Sequence, residues 1–185
     1  MRQTWSRALM RMLALGLSLA LLAAPAAAQK TQSGGQGASD GPDPVTMFAD
    51  DDAVMNAAID EALASLPLFL RNVFESGAQA LPQAQLKIAL PTASGSGDEI
   101  IWADRVQSLG GDRYMAVLIN RPVDLGSLQL GSSVEFSRNA IRDWGLPSAD
   151  GRLYGQYTSR VIADLTGNQD IWNVLMPDPI PMVWR

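Results

Sequence analysis

The sequence predicts an α+β domain in which an N-terminal helix, or a kinked pair of helices, packs on a curved antiparallel sheet of about five to six strands. Apolar residues from Met55 to Phe74 recur at three- and four-residue spacing, and from Gln83 onward the period changes to two. The later segments are short and are separated by Gly- and Pro-bearing turns, which is typical of antiparallel sheets. We expect the sheet to be strongly curved, so that it could close toward a small barrel.

Residues 1–28 have the three parts of a cleaved secretory signal. Three arginines make a positive n-region, Met12–Ala24 is apolar and uncharged, and the small residues Ala26–Ala28 precede the expected cleavage site. The apolar run is shorter than the roughly 20 residues that span a bilayer. The chain contains no cysteine that could carry a lipid. We therefore expect a periplasmic or secreted protein, cleaved after Ala28 and without a membrane anchor.

The composition excludes several classes of function. Removal of the signal takes away three positive charges from a chain of net charge −5, which leaves −8. That balance argues against nucleic acid and against anionic membrane surfaces, which need clustered Lys and Arg. The chain has no histidine and no cysteine, so serine–histidine and cysteine–histidine sites, disulfides, and zinc sites built on imidazole or thiolate are excluded. We predict no cofactor and no metal site.

The chain divides into four regions by composition. After the signal, residues 29–45 form a Gly/Ser/Pro leader that cannot bury enough apolar surface to fold. Residues 46–164 form the α+β domain, and residues 165–185 form a Pro-rich tail. We expect the tail to pack on the domain through Trp172 and Trp184, and the alternative is that it binds a partner as an extended strand.

The predicted helix has clear signals at its ends. Asp50–Asp52 precede it, where carboxylates cap backbone N–H groups and favour the positive end of the helix dipole. The pattern of a calcium-binding loop is missing around these aspartates. Pro67 lies inside the apolar stripe, so the helix is kinked there or a second helix begins there. Gly77 is the expected stop.

Six segments read as strands, because they alternate or carry apolar and β-branched residues between turns. They are Gln83–Leu90, Ile100–Val106, Tyr114–Ile119, Val134–Phe136, Ile141–Trp144 and Tyr154–Ile162.

A spaced set of residues carries a resemblance to a known family. Its pieces are Glu99–Trp102, Leu118–Pro122, Leu130–Gly131 with Val134 and Phe136, Ile141–Trp144, and Gly155–Arg160. In order and spacing they resemble the YegJ-like family, domain of unknown function 2314, over about Asp50 to Ile162. The I-x-D-W and G-x-Y-T-x-R pieces are the most specific. The resemblance implies a compact α+β domain and no reaction, because the family is uncharacterised. Some relatives of such domains look like immunity proteins of bacterial toxin systems, which implies protein binding.

The residues that carry the resemblance also form the candidate site. We name as candidate binding residues Glu99, Trp102, Asn120, Asp143, Trp144, Tyr157 and Arg160. One interpretation is structural: Arg160 grips Glu99 or Asp143 with two hydrogen bonds and braces the tryptophans. The other is that the same group lines a concave surface for a ligand or partner.

No catalytic residue is assigned, and we expect a non-catalytic binding or interaction module with a protein partner in the cell envelope. The alternative is a hydrolase of cell-wall glycan that uses two carboxylates, Glu99 with Asp104 or Asp143. One of the two would need a pKa raised by an apolar neighbour such as Trp102.

Overall fold

A computed structural model describes residues 52–185. The predicted signal, the leader, Asp50 and Asp51 lie outside the described residues. The elements follow in this order: α1 Ala53–Val73, β1 Gln85–Pro91, β2 Asp98–Gly110, β3 Arg113–Leu118, β4 Ser133–Ser137, a 3₁₀ turn Arg138–Ala140, β5 Ile141–Pro147, β6 Leu153–Gly155, α2 Tyr157–Thr166, α3 Gln169–Asn173 and a 3₁₀ turn Met182–Trp184.

The predicted α+β class is confirmed. The strands form one six-stranded sheet of order β4-β3-β2-β1-β5-β6, and every neighbouring pair is antiparallel. The sheet stays open, because β4 and β6 are its two edges and do not pair with each other.

Connectivity requires the sheet to be strongly curved. Ser137 ends β4 and Ile141 begins β5, so the chain between them reaches at most about 14 Å. In a flat sheet these strands would be four spacings apart, about 19 Å. Part of the bend lies in β2, where the register shifts between Asp104 and Gln107 and Arg105 adopts a left-handed φ of 50°.

Helix α1 begins where the sequence predicts. The Asp52 side chain accepts hydrogen bonds from the backbone N–H groups of Val54 and Met55, both at 3.0 Å. The helix continues through Pro67, which is exposed, so the alternative of a second helix beginning there is wrong. By length and composition alone α1 could cross a membrane, since its mean hydropathy is 1.4. One face is nevertheless part of the domain core, through residues that include Ala62, Leu66, Phe69 and Val73.

The last predicted strand is wrong over most of its length. Of Tyr154–Ile162, only the first two residues belong to β6, and α2 begins at Tyr157. Gln156 lies between them with a left-handed φ of 55°, which turns the chain out of the sheet. The β-branched residues of this segment are typical of a strand. The segment is nevertheless a helix, and the carboxylate of Asp143 on β5 caps its first turn.

The tail lies along the open edge of β6. The backbone of Leu153 exchanges hydrogen bonds with Val174 (2.8 Å) and Met176 (2.9 Å), and Gly155 N–H donates to the carbonyl of Pro179 at 2.8 Å. The ring of Trp184 lies 5.9 Å from that of Trp144, between ring centres. These contacts cover one edge of the sheet and one side of its largest buried side chain.

Candidate functional site

Trp102 and Trp144, the two tryptophans among the candidate residues, lie on opposite faces of the sheet. The side chain of Trp144 on β5 points toward α1, where its indole N–H donates to Ser65 Oγ at 2.9 Å. Since successive side chains of a strand point to opposite faces, Asp143 lies on the other face. Lys87 on β1 is directly opposite Asp143 on β5 and Trp102 on β2. We call this side of the sheet, away from α1, the outer face.

Asp143 is fully buried and accepts four hydrogen bonds. Oδ1 accepts from the backbone N–H of Trp144 (2.8 Å) and of Tyr157 (3.2 Å). Oδ2 accepts from the backbone N–H (2.8 Å) and the hydroxyl (2.7 Å) of Thr158. The N-cap residue of α2, Gln156, makes no side-chain cap hydrogen bond. Asp143, which lies on β5, caps the helix in its place. Burial raises the pKa of Asp143, and the hydrogen bonds from Thr158 and Trp144 and the charge of Lys87 oppose that rise.

Lys87 reaches the same cap through the Thr158 hydroxyl. Its Nζ donates to Thr158 Oγ1 at 3.0 Å and lies 5.7 Å from the centre of the Trp102 ring. Burial lowers the pKa of Lys87, and the nearby charge of Asp143 opposes this effect. Thr158 therefore accepts from the amine and donates to the carboxylate. The three side chains form a continuous chain of hydrogen bonds under the outer face.

The predicted brace does not form. Arg160 Nε donates to the carbonyl of Gly155 at 3.0 Å, and its NH2 group donates to the carbonyl of Met176 at 2.7 Å. Its guanidinium lies 5.8 Å from the Trp172 ring centre. The prediction that Arg160 grips Glu99 or Asp143 is wrong, because the arginine joins α2 to the tail while both carboxylates are held by backbone N–H groups.

Glu99 holds a loop. Its Oε1 accepts from the backbone N–H of Val123 at 2.8 Å, and its Oε2 accepts from that of Asp124 at 2.7 Å. Asn120 is half-buried in the loop after β3. Neither residue lies in the row that joins Trp102, Lys87 and Asp143.

Trp144 and Tyr157 belong to the core. Both are buried, and the Trp144 ring stacks on Phe69 at 4.8 Å and meets Tyr157 edge-on at 5.9 Å, between ring centres. Of the seven predicted residues, the structure brings Trp102 and Asp143 together with Lys87, places Trp144 and Tyr157 beneath α1, and separates Glu99, Asn120 and Arg160 from that row.

Sequence reasoning missed Lys87, Thr158 and Ser65. Lys87 occupies the polar side of an alternating strand, where lysine is usually solvated. The sequence feature that could have drawn attention to Lys87 is the rarity of lysine, since the chain has only one other, Lys30. Thr158 is part of the G-x-Y-T-x-R piece, but its contact with Asp143 depends on how α2 packs. Ser65 carried no signal, since a serine on an apolar helix stripe commonly bonds its own helix, as this one does with Glu61 and Ala62.

Two grooves lie on the other side of the domain. One, of about 480 Å³, lies between α1 and the end of the β3–β4 pair where Arg113 is opposite Ser137. It is lined by Leu63, Leu66, Asp112, Ser137, Arg138 and Asn139. The other, of about 230 Å³, lies between α1 and α2, and Tyr157 and Arg160 contribute to it.

The chemistry available to the candidate residues is limited by their partners. The carboxylates of Glu99 and Asp143 are occupied by hydrogen-bond donors, and that of Asp104 lies 3.2 Å from Arg105. Buried Asp143 cannot contact a glycan, so the geometry does not support the hydrolase alternative. Thr158 and Lys87 resemble a hydroxyl–amine catalytic pair, but Thr158 is only 2% exposed and cannot attack a substrate. Within residues 52–185 no three His, Cys, Asp or Glu side chains are placed to hold a metal ion.

Comparison with known proteins agrees with the resemblance on the family and adds no reaction. No curated protein and no solved structure matches the chain. One family model matches residues 52–173, which include α1, the whole sheet, α2 and α3. The chain thus belongs to the family described as "Uncharacterized protein conserved in bacteria (DUF2314)".

Proposed function

We propose that the protein is an exported, non-catalytic binding module of the periplasm, and that it binds a protein partner through the outer face around Trp102. The observation that carries the proposal is that Trp102, on the outer face, is only half-buried. Ile100 lies two positions away on the same face of β2 and is 46% exposed. Aromatic side chains beside apolar ones are the usual anchors of protein interfaces.

The partners of the other polar residues support binding over catalysis. Of the carboxylates that the sequence offered for glycoside chemistry, Glu99 and Asp143 hold backbone N–H groups in place, and Asp143 is buried where no glycan can reach it. Asp104 pairs with Arg105 at the surface. Trp102 instead rests on Lys87, whose position the Thr158–Asp143 pair determines. This contact restricts the indole before a partner arrives, and a restricted side chain loses less entropy on binding.

The test is crosslinking in the cell envelope of the native host. A photo-crosslinking residue replaces Ile100 in one variant and Val183, which is 89% exposed on the tail, in a matched control. We expect the Ile100 variant, and not the control, to form a discrete adduct with one protein. The added substitution Trp102→Ala should abolish that adduct without changing the melting temperature by more than a few degrees.

Either of two results would contradict the proposal. One is a similar pattern of adducts from positions 100 and 183, and the other is an adduct that survives Trp102→Ala. Cell fractionation of the full chain tests export separately: we expect the protein in the periplasmic or secreted fraction, shortened by residues 1–28.

A further inference from the structure

We propose that Lys87 is a reactive amine that forms an imine with a small carbonyl compound, an aldehyde or a 2-oxo acid. This inference does not depend on the partner proposed above, since it concerns only the amine and its immediate surroundings.

The first argument is the environment of the amine. Lys87 lies on β1 in the middle of the sheet, between β2 and β5, and the residue is half-buried on the outer face. The Trp102 ring forms one wall at 5.7 Å. An amine attacks a carbonyl only in its neutral form, and partial removal from water favours that form. The lowered pKa of Lys87 agrees with this effect.

The second argument is a route for the proton. Imine formation requires the attacking nitrogen to lose its protons, so a nearby acceptor accelerates the reaction. Thr158 Oγ1 lies 3.0 Å from Nζ and 2.7 Å from Asp143 Oδ2. The hydroxyl can take a proton from nitrogen while it passes its own to the carboxylate. It does so without leaving its buried position, so the burial that prevents Thr158 from acting as a nucleophile does not prevent this role.

The groups that face Lys87 are Trp102 from β2, Asp143 from β5 and Thr158 from α2. In the proposed step, the nitrogen lone pair forms a bond to the carbonyl carbon as the carbon–oxygen π bond breaks. One N–H proton leaves through Thr158 to Asp143, and a proton returned by this relay or by solvent converts the oxygen to a hydroxyl group. The second N–H proton is lost in the same way as the hydroxyl takes up a proton, the carbon–oxygen bond breaks to release water, and the nitrogen lone pair forms the carbon–nitrogen double bond. No electron donor or acceptor is needed.

The experiment uses the full chain, glyoxylate as the carbonyl probe, and cyanoborohydride, which reduces the imine to a stable amine. Peptide mass spectrometry measures the adduct at Lys87. The reference is Nα-acetyllysine, treated in the same way near neutral pH. Because Lys30 is the other lysine in the chain, its adduct is measured separately, on its own peptide. We expect Lys87 to react at least about fivefold faster than the reference amine, and the excess to disappear when the protein is unfolded in urea.

Two variants separate reactivity from mere accessibility. Thr158→Ser keeps the hydroxyl and should keep the excess rate, whereas Thr158→Val should remove it. Lys87→Arg should remove the adduct and keep the fold. A rate at Lys87 equal to or below that of Nα-acetyllysine in the folded wild-type protein would overturn the proposal, and this comparison decides the matter even if Thr158→Val fails to fold. Equal rates in folded and unfolded protein would overturn it as well.

Discussion

Lys87 and Asp143 lie directly opposite each other on β1 and β5, and the Thr158 hydroxyl connects them by accepting from Lys87 and donating to Asp143. This arrangement attaches the first turn of α2 to the middle of the sheet. It also places Lys87 Nζ 5.7 Å from the ring centre of half-buried Trp102, so the same contacts serve the fold and the proposed site.

Asp143→Asn should destabilise the protein by about 2–4 kcal/mol. An amide has one oxygen in place of two and presents an N–H group to donors of α2, while Lys87 loses its counter-charge. Urea denaturation measures the difference. Asp60→Asn, at an exposed position of α1, is the matched control and should change the free energy of unfolding by no more than about 0.5 kcal/mol. Equal changes in the free energy of unfolding for the two variants would show that Asp143 does not stabilise the protein by capping α2.

Gly155→Ala should destabilise the protein by about 3 kcal/mol or more. A Cβ atom there would lie 2.2 Å from the Trp144 carbonyl oxygen and 2.6 Å from Cε3 of its ring. Gly151 is the matched control, because it also has a positive φ, of 85°, but nothing lies within 4 Å of its added Cβ. Gly151→Ala should lower the free energy of unfolding by only about 1 kcal/mol. Thermal unfolding of both variants separates the effect of the clash with Trp144 from the effect of a positive φ alone.

Ser65→Ala should destabilise the protein by about 1–3 kcal/mol, because it leaves the buried indole N–H of Trp144 without its acceptor. The double variant with Trp144→Phe should cost less than the sum of the two single changes, since each removes the same hydrogen bond. A double-mutant cycle in urea measures this coupling. Ser127→Ala, at an exposed loop position, should be neutral, and strict additivity in the cycle would mean that the hydrogen bond contributes nothing.

Arg160→Met should loosen the tail more than it destabilises the domain. The substitution removes the hydrogen bonds to the carbonyls of Gly155 and Met176 but keeps an apolar stem. We expect limited proteolysis to cut between Gly167 and Arg185 several-fold faster than in the wild type. Arg113→Met, which removes an exposed ion pair with Glu135, is the control and should leave the cleavage rate unchanged. Unchanged cleavage in the Arg160 variant would show that other contacts hold the tail.

Stability should depend on Lys87 in the alkaline range with a defined sign. Burial lowers the pKa of Lys87 in the folded protein below the ordinary 10.5. At pH values between the folded-state pKa and the unfolded-state pKa of Lys87, the unfolded chain binds more protons at this lysine than the folded one. The free energy of unfolding therefore rises as pH rises through this range and falls as pH falls. The difference in unfolding free energy between wild type and Lys87→Met should therefore increase with pH there. Tyr114 and Tyr157, whose pKa values burial raises, are present in both proteins. A flat or falling difference would contradict the lowered pKa.

Local patterns predicted the parts of the fold that depend on neighbours in the chain. The carboxylate before Ala53 and the apolar stripe predicted α1, because capping and helical period act within one or two turns. The alternation through Leu86 and Ile88 predicted β1 and which of its faces is buried. The continuation of α1 past Pro67 was left open, since tertiary packing decides whether the lost hydrogen bond is tolerated.

The candidate site was predicted less well, for a physical reason. The sequence named Asp143 and Trp102, which lie in one row across the sheet with Lys87, but it assigned Asp143 the wrong partner. A guanidinium is a common match for a carboxylate, and local residues cannot show that backbone N–H groups already occupy the carboxylate of Asp143. Arg160 likewise found its acceptors in Gly155 and Met176, and the second of these depends on where the tail docks.

The sequence by itself determined the α+β class, the start of α1, the positions of five strands and the absence of chemistry that needs histidine or cysteine, because composition and periodicity are local properties. Only the tertiary structure decided that Tyr157–Thr166 is a helix, since its cap comes from Asp143 on another strand. It alone also brought Lys87, Thr158 and Trp102 together. Those contacts join residues up to 71 positions apart, and no local pattern records which distant side chains will share a face.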